Sequence, residues 1–209
     1  TITLPIDFIR PVNIDYKGGD FYFEIDEKTS TLLRALAKEL EVSLYSVLLT
    51  GYCLFLQAYS NQDDLVIGTP IANRHYPQIQ NLIGFFVNTI ALRIKINSKA
   101  PIKSLIKNVW QDIVASQNHQ DLPFEKLANE LNLPKDISRH PVFQVMFGVQ
   151  SFGSTTIPEL LEPFGYDNLY NIAKFDISTF IDDSQPILRG SFNYAKSLYK
   201  KETIEQFTK

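Results

Sequence analysis

The chain has 209 residues, of which 44% are hydrophobic and 21% are charged, which is typical of a globular domain with one substantial core or two small ones. Its formal net charge is −3 and no basic face is concentrated in the sequence, which excludes a nucleic-acid footprint. The single cysteine, Cys53, allows no internal disulfide, favours a reducing compartment and lies in an apolar run typical of a buried small hydrophobe.

Neither a signal peptide nor a membrane span is predicted. The residues from Thr1 to Pro5 lack a basic start and a long apolar core. The longest apolar run, Val47–Leu56, is too short and too interrupted to cross a bilayer. We therefore expect a cytoplasmic protein that binds neither membranes nor nucleic acids. The chain begins without Met, which fits a piece of something larger.

The N-terminal residues predict an extended segment and then a strand. Thr1–Gly19 contains prolines and ends in Gly18-Gly19, so we expect an extended segment without a core of its own. Apolar and polar residues then alternate, which predicts a short strand with one apolar face over Phe21–Ile25.

Two helices are predicted after this strand. Asp26 is a suitable N-cap for the first helix, whose apolar face consists of Leu32, Leu33, Leu36, Ala37 and Leu40. The second helix begins at Ser43 and ends at about Tyr59. Because it is apolar nearly all round, it should be central in the fold.

The stretch Asp63–Arg93 organises the rest of the chain. It contains two apolar segments rich in β-branched and aromatic residues, which we interpret as the strands Leu65–Ile71 and Phe85–Ile96. Gly68 and Pro70 favour extended or turn geometry over helix.

The later segments predict two helices, three strands and a truncated last helix. The helices are Ile102–Gln117, which has apolar residues at helical spacing, and Phe124–Leu131, with Asp121 or its neighbours as caps. The strands are Val142–Gln150, Ala173–Ile181 and Pro186–Tyr194, and the last two form a hairpin around Asp182–Gln185. The truncated helix is Lys200–Lys209.

The predicted elements follow the order of a helix, a buried helix and then strands, which is typical of an α/β fold. We predict one mixed β-sheet flanked by the helices of Thr29–Tyr59 and Ile102–Gln117. The exception is Ser151–Asn171, whose glycines, threonines and prolines predict no element. A loop of that size inside a compact domain is usually functional or paired elsewhere.

His119, Asp121 and Glu125 are the residues most suggestive of chemistry. An imidazole oriented by a carboxylate could act as a general base, and the three together could form a weak metal cluster. The same spacing at a helix start suits capping equally well, and neither a nucleophile nor a second histidine accompanies it. We therefore favour a structural role and predict no metal site.

Other polar and glycine residues have two possible roles each. Asn88 lies in an apolar strand, where its amide must find strand-internal partners or line a wet cavity. Arg139 could pair with a buried carboxylate or face solvent. Gly68 and Gly84 lack the spacing of a phosphate loop, so we expect them to shape the backbone at strand ends.

Three stretches of the sequence resemble the condensation domains of nonribosomal peptide synthetases. The first lies within Asp63–Arg93 and reads DLVIGTPIANR over Asp64–Arg74, followed by IGFFVNT over Ile83–Thr89. His119–Glu125 resembles the family's HQDxPFE motif. Lys135–Phe143 resembles its RDxSRNPLF motif, with Lys for the first Arg and His140 for Asn. The motifs occur in the family's order and the resemblance covers nearly the whole chain.

The family's catalytic motif, HHxxxDG, is absent from this sequence, because none of His75, His119 and His140 has a histidine beside it. In the family that motif lies in the N-terminal half. The resemblance therefore implies a C-terminal subdomain over residues 20–209, inactive by itself.

The resemblance implies a fold similar to chloramphenicol acetyltransferase, with two α/β halves around a tunnel. Two carrier proteins deliver thioesters on phosphopantetheine arms, and an amine attacks a thioester to form a peptide bond in secondary metabolite biosynthesis. No metal or dissociable cofactor is implied. Partners are the N-terminal half, peptidyl carrier proteins and adjacent synthetase domains.

The resemblance also implies roles within this half. A floor loop maps to about Ile67–His75 and a latch to about Ser151–Asn171. Candidates for the substrate channel are Asn88, Thr69 and Arg139. The motif residues expected to be structural are Gly84, His119, Asp121, Pro123, Phe124, Ser138 and Pro141.

Two rival hypotheses remain at this point. The chain could be an independent acyltransferase that uses His119. Alternatively, it could be a degenerate condensation-like module that recruits another protein to an assembly line.

Overall fold

The computed structural model describes residues 2–74, 76–150 and 171–208. Within them the chain forms six strands and five α-helices. In chain order these are β1 (Gly18–Ile25), α1 (Glu27–Leu40), α2 (Leu44–Ser60), β2 (Asp64–Ile71), β3 (Asn88–Lys95), α3 (Ile102–Gln117), α4 (Phe124–Glu130), β4 (Val145–Gln150), β5 (Ile177–Asp182), β6 (Leu188–Ala195) and α5 (Lys201–Gln206). One turn of 3-10 helix, Pro77–Ile79, lies between β2 and β3.

The strands form one sheet in the order β1-β6-β5-β4-β2-β3. β4 pairs in parallel with both β2 and β5, and the other neighbours pair antiparallel. α2 packs against α1, α3 and β4, and α3 also packs against β3. The predicted α/β class, with a mixed sheet flanked by helices, is confirmed.

Both predicted helix starts are confirmed by their caps. Asp26 Oδ1 accepts a hydrogen bond from the N–H of Thr29 at 3.0 Å. Ser43 Oγ accepts one from the N–H of Ser46 at 3.2 Å. Each cap satisfies a backbone donor that has no partner inside its helix.

The apolar face predicted for α1 is wrong at Leu32, which is 59% exposed. Ala37 and Leu40 are buried, and Leu33 and Leu36 pack against them. These four residues lie within a stripe about 100° wide around the helix, whereas Leu32 lies about 40° outside the edge of that stripe.

α2 is central, as its all-round apolar sequence predicts. Leu49, Cys53 and Leu56 are completely buried, and the Tyr52 ring stacks on Phe147 of β4 with centroids 5.0 Å apart. Burial raises the pKa of the Cys53 thiol far above its ordinary value. The thiol therefore stays protonated and acts as a small hydrophobe.

The N-terminal segment belongs to the main core although residues 2–16 form no helix or strand. Ile2 and Leu4 are buried in the same apolar cluster as α2 and the sheet. The prediction that Gly18-Gly19 ends the extended segment is wrong, because both residues are the start of β1. A Cβ on Gly19 would lie 2.7 Å from the ring of Tyr194, so a close approach, not a turn, requires glycine here.

Three strands begin at least three residues later than the sequence predicts. β3 begins at Asn88 instead of Phe85, β4 at Val145 instead of Val142, and β5 at Ile177 instead of Ala173. In each case the apolar residues of the sequence begin before the first residue that is hydrogen-bonded in the sheet. The N–H of Ala173, for example, bonds to Tyr16 O at 2.9 Å.

The latch predicted over Ser151–Asn171 lies outside the described residues except for Asn171. In the described part of the chain, no single helix has the length and hydropathy to cross a membrane, and α1 with α2 passes that test only as a pair bent by 112°.

Candidate functional site

Asn88, the first residue of β3, holds the segment that precedes α4. Its Nδ2 donates hydrogen bonds to the carbonyl oxygens of Gln120 and Leu122 at 2.8 and 2.9 Å. Its Oδ1 accepts a hydrogen bond from the N–H of Phe124 at 3.3 Å. The asparagine of the FFVNT motif therefore fixes the HQDLPFE motif, and its partners are in a loop instead of within the sheet.

The N-cap of α4, predicted at Asp121 or its neighbours, is one of those neighbours. The N-cap of α4 is Pro123, which makes no side-chain hydrogen bond. Proline suits this position because its fixed φ is compatible with a helix start. The N–H of Phe124 has no partner inside the helix and donates to Asn88 Oδ1, so the side chain that satisfies this helix start belongs to β3.

Four rings, the first of them at the start of α4, form a group that we call the His140 cluster: Phe124, His140, Phe143 and Phe175. The His140 ring centroid lies 5.5 Å from Phe124, 5.2 Å from Phe143 and 4.6 Å from Phe175. Phe143 also stacks on Phe175 at 5.2 Å. The cluster joins the HQDLPFE motif, the KDISRHPVF motif and the segment before β5.

Burial among these rings lowers the pKa of His140, because the charged imidazolium is poorly solvated there. The Pro141 carbonyl, 2.9 Å from Nδ1, opposes this effect, and the charge of Lys174 adds to it. A carbonyl can only accept, so Nδ1 carries the proton. His140 is therefore a neutral ring at pH 7.

Gly68 and Val142 show why the cluster needs special backbone. A Cβ on Gly68 would lie 2.2 Å from the Phe143 ring, so only glycine lets β2 pass beneath that ring. Val142 has φ 71°, and the N–H of Phe143 bonds to Pro141 O at 2.9 Å. This is a tight γ-turn, which is strained for a β-branched residue and ends the loop before β4.

Asp136 organises the loop that carries Arg139. Its Oδ1 accepts hydrogen bonds from the N–H and the hydroxyl of Ser138 at 2.9 and 2.6 Å. Its Oδ2 lies 2.7 Å from Arg139 Nε. Arg139 therefore pairs with a carboxylate, but a half-exposed one instead of the buried partner considered from sequence.

A second arginine at the site, Arg10, belongs to no motif in the sequence. Its Nη1 donates to Asp176 Oδ1 at 2.9 Å and to the carbonyl of Ser138 at 3.3 Å, and its Nη2 pairs with Asp176 Oδ2. The bidentate pair ties the N-terminal segment to the residue before β5. Its partner is 166 residues away, so no local pattern indicates it.

Thr69 lies between the sheet and α2 and is 6% exposed. Its Oγ1 donates to the carbonyl of Phe147 at 2.8 Å and is 2.7 Å from Tyr45 Oη. Thr69 thus faces the helical layer, on the opposite side of β2 from Gly68 and the His140 cluster.

His119 is exposed, in the turn between α3 and α4. Its N–H donates to Ser116 O and its carbonyl accepts from the N–H of Leu122, so the residue contributes to a tight connection. Among the described residues no three His, Cys, Asp or Glu side chains form a group that could hold a metal ion.

Arg74 organises the connection between β2 and β3. Its guanidinium donates to the carbonyl oxygens of Ile79, Gln80, Leu82 and Gly84, two of them at 3.3 and 2.9 Å. It also lies over the Phe86 ring, 4.3 Å from the centroid. The only sequence signal for this role is its place at the end of the IANR motif.

The backbone at Gly84 in this loop does not require glycine as strongly as the sequence predicts. Its φ lies outside the left-handed region, and a Cβ would approach only the movable side chain of Phe86. The same loop exposes four apolar side chains. We call this part of the loop the apolar loop, and its residues are Leu82, Ile83, Phe85 and Val87.

A groove of about 570 Å³ lies between α4 and the segment 132–144. Arg139, His140 and Pro141 line it. Of the three channel candidates, Arg139 therefore lines this groove. Asn88 contacts the turn before α4, and Thr69 of β2 faces the helical layer.

A family model described as Condensation domain matches residues 1–209. N-(5-amino-5-carboxypentanoyl)-L-cysteinyl-D-valine synthase of Amycolatopsis lactamdurans is 41% identical over 208 residues, which are 99% of this chain and 6% of that protein. The chain therefore spans a small fraction of the length of this curated relative.

Two solved structures share the fold. A four-domain nonribosomal peptide synthetase bound to AMP and glycine has a TM-score of 0.88 and 26% identity, over 100% of this chain and 17% of that chain. The X-domain from teicoplanin biosynthesis, in its complex with OxyB, has a TM-score of 0.86 and 23% identity, over 99% of this chain and 46% of that chain. Because the family model matches the full sequence, the chain belongs to the condensation domain family.

Proposed function

We propose that the chain is the C-terminal half of a condensation domain that joins aminoacyl and peptidyl thioesters held on carrier proteins. In this role it supplies the far wall of the tunnel, and the HHxxxDG motif comes from the N-terminal half. The phosphopantetheine arms are part of the substrates, and this half binds no metal or cofactor itself. The surrounding protein is then a cytoplasmic synthetase of secondary metabolites.

The observation that carries the proposal is the length of the matching fold. The chain aligns almost completely with the teicoplanin X-domain but covers 46% of it. A domain of this fold therefore contains about as much chain again. The missing part is where the family has HHxxxDG, which this sequence lacks.

The apolar loop supports the N-terminal half as a partner. Ile83 is fully exposed and Phe85 is 93% exposed, while the Arg74 guanidinium donates hydrogen bonds to carbonyl oxygens of the same loop. Exposed contiguous apolar side chains on an ordered loop are typical of a surface that another protein segment covers. We propose that this loop, extending the floor loop mapped to Ile67–His75, and the latch both contact the N-terminal half.

The groove beside the His140 cluster supports the tunnel-wall role. Its volume falls within the roughly 300–1,000 Å³ of small-molecule sites. Its walls carry the motif residues Arg139, His140 and Pro141.

The degenerate recruiting module remains the second candidate, because the X-domain with the same fold is in a complex with OxyB. An acyltransferase based on His119 is disfavoured. Its imidazole is exposed, whereas general-base catalysis of amine attack needs an enclosed and oriented base.

The test uses the complete synthetase that carries this chain. We expect His119→Ala to keep the rate of dipeptidyl thioester formation, and alanine at the second histidine of HHxxxDG to lower it about 100-fold or more. An equal loss in a folded His119→Ala variant would support the independent acyltransferase. No product from the wild-type protein would support the recruiting module.

A further inference from the structure

A cavity of about 150 Å³ lies between the sheet and the helices, and we call it the Tyr45 cavity. Its walls come from the ends of β2, β3 and β4 and from α2 and α3. The lining residues include Tyr45, Thr69, Ile71, Ile90, Ile113 and Val149. The cavity is distinct from the groove at the His140 cluster, which has other lining residues and lies beyond α4.

The hydrogen bonds at the wall define what the cavity offers a ligand. Thr69 has one hydroxyl proton, and it donates that proton to the carbonyl of Phe147, which can only accept. The proton in the 2.7 Å contact between Tyr45 and Thr69 must therefore come from Tyr45 Oη. Tyr45 Oη keeps free lone pairs, so it is a fixed acceptor, and neither hydroxyl is a free donor. The side-chain amide of Gln117 is the other polar group on the wall.

The cavity is electrically neutral. No charged side chain is among the described residues that line it. Burial raises the pKa of Tyr45 well above its ordinary value, so the phenol does not ionise. A carboxylate or an ammonium group would lose its hydration here without gaining a group of opposite charge, whereas an uncharged apolar group would leave water favourably.

The position is suited to a ligand. Ile71 and Val149 are at the carboxyl ends of β2 and β4, which are neighbouring parallel strands, and ligands of open α/β sheets bind beyond such ends. The size also fits, since an engineered protein cavity of about 150 Å³ with apolar walls binds benzene.

We propose that the Tyr45 cavity binds the uncharged apolar side chain, aliphatic or aromatic, of one of the tethered substrates. This inference rests on the proposed function, which supplies the class of ligand. The side chain fills the cavity by apolar burial, and any N–H or O–H it carries donates to Tyr45 Oη. Acidic and basic side chains are rejected.

The test measures binding to the complete synthetase, with benzene as the probe in ligand-observed saturation-transfer NMR. We expect benzene to bind and the pantetheine thioester of leucine to displace it. The alanine thioester should compete roughly tenfold less well, because its side chain buries fewer carbons, and the aspartate thioester should not compete.

Val149→Phe fills the cavity and should abolish benzene binding. Val66→Phe is the matched control, because Val66 points to the opposite face of the sheet from Leu65 and Ile67, and it should leave binding unchanged. Tyr45→Phe keeps the shape but removes the acceptor. This substitution should weaken the binding of pyrrole, which is an N–H donor, several-fold more than the binding of benzene.

Each outcome decides one claim. No benzene binding to the wild-type synthetase means that another part of the protein fills the cavity, and the proposal is wrong. Benzene that binds but is not displaced by the leucine thioester refutes a substrate side chain as the ligand. Displacement without peptide-bond formation would support the cavity while contradicting the proposed function.

Discussion

Asn88 and Phe124 are joined by a hydrogen bond from the Phe124 N–H to Asn88 Oδ1, although they are 36 residues apart. The same amide donates to two carbonyl oxygens of the preceding turn. The FFVNT and HQDLPFE motifs thus form one structural unit, in which β3 fixes the start of α4. The position of Phe124, and hence of the His140 cluster, depends on this contact.

We predict that Asn88→Ala lowers the free energy of unfolding by about 1–2 kcal/mol, because it leaves three backbone groups without their partner. The measurement is urea unfolding of the protein that contains the chain. Asn97→Ala is the control, since Asn97 accepts one hydrogen bond in an exposed turn, and we expect a change below about 0.5 kcal/mol. Equal changes in the two variants would contradict the role assigned to Asn88.

Arg74→Met should release the loop 76–87. Its carbonyl oxygens would lose a shared charged donor, and local opening should expose the apolar loop to proteolysis. We expect chymotrypsin to cleave there about tenfold faster, which corresponds to roughly 1.4 kcal/mol of local stability.

Arg93→Met is the control for Arg74. Arg93 pairs with Asp64 on an exposed surface, where an ion pair contributes little. Its cleavage rate should match the wild type. If Arg74→Met also matches it, the loop is held by something other than the guanidinium.

The local parts of the fold are predictable from sequence. Asp26 and Ser43 cap the two helices that they predict, and α3 has the predicted bounds because Pro101 and a continuous apolar stripe mark it. These signals act within a few residues, so no tertiary contact is needed to interpret them.

The site is less predictable, because its contacts join distant segments. Three contacts of the site depend on the order of strands in the sheet. They are the ion pair of Arg10 with Asp176, the hydrogen bond of Asn88 with Phe124, and the packing of the Phe143 ring over Gly68. Gly68 illustrates the difficulty. Sequence assigns it a backbone role at a strand end, whereas the reason for glycine is an aromatic ring from a segment far along the chain.

His140 predicts a specific pH dependence of stability. Burial lowers its pKa in the folded protein, whereas an unfolded histidine titrates near about pH 6.5. Between the two values the unfolded state binds more protons, so the free energy of unfolding increases with pH. The neutral His140 ring makes its full contribution to the free energy of unfolding at pH values above the pKa of histidine in the unfolded state. That contribution is lost as the pH falls through the lower pKa of the folded state.

We therefore expect the urea concentration at the unfolding midpoint to decrease when the pH is lowered from about 7.5 to 5.5. His140→Asn should make that decrease smaller. Asparagine is the residue that the family motif has at this position. His119→Asn is the control, because His119 is exposed, and it should keep the wild-type slope. A slope unchanged in His140→Asn would show that other groups cause the pH dependence.

The central claim is that this chain is the half of a condensation domain without its catalytic histidines. The most direct measurement mixes the chain, a separately made N-terminal half and two loaded carrier proteins, and follows dipeptidyl thioester by mass. We predict no product from the chain alone and product when the N-terminal half is added, because the tunnel then has both walls and an HHxxxDG motif. Turnover by the chain alone that His119→Ala abolishes would contradict the account.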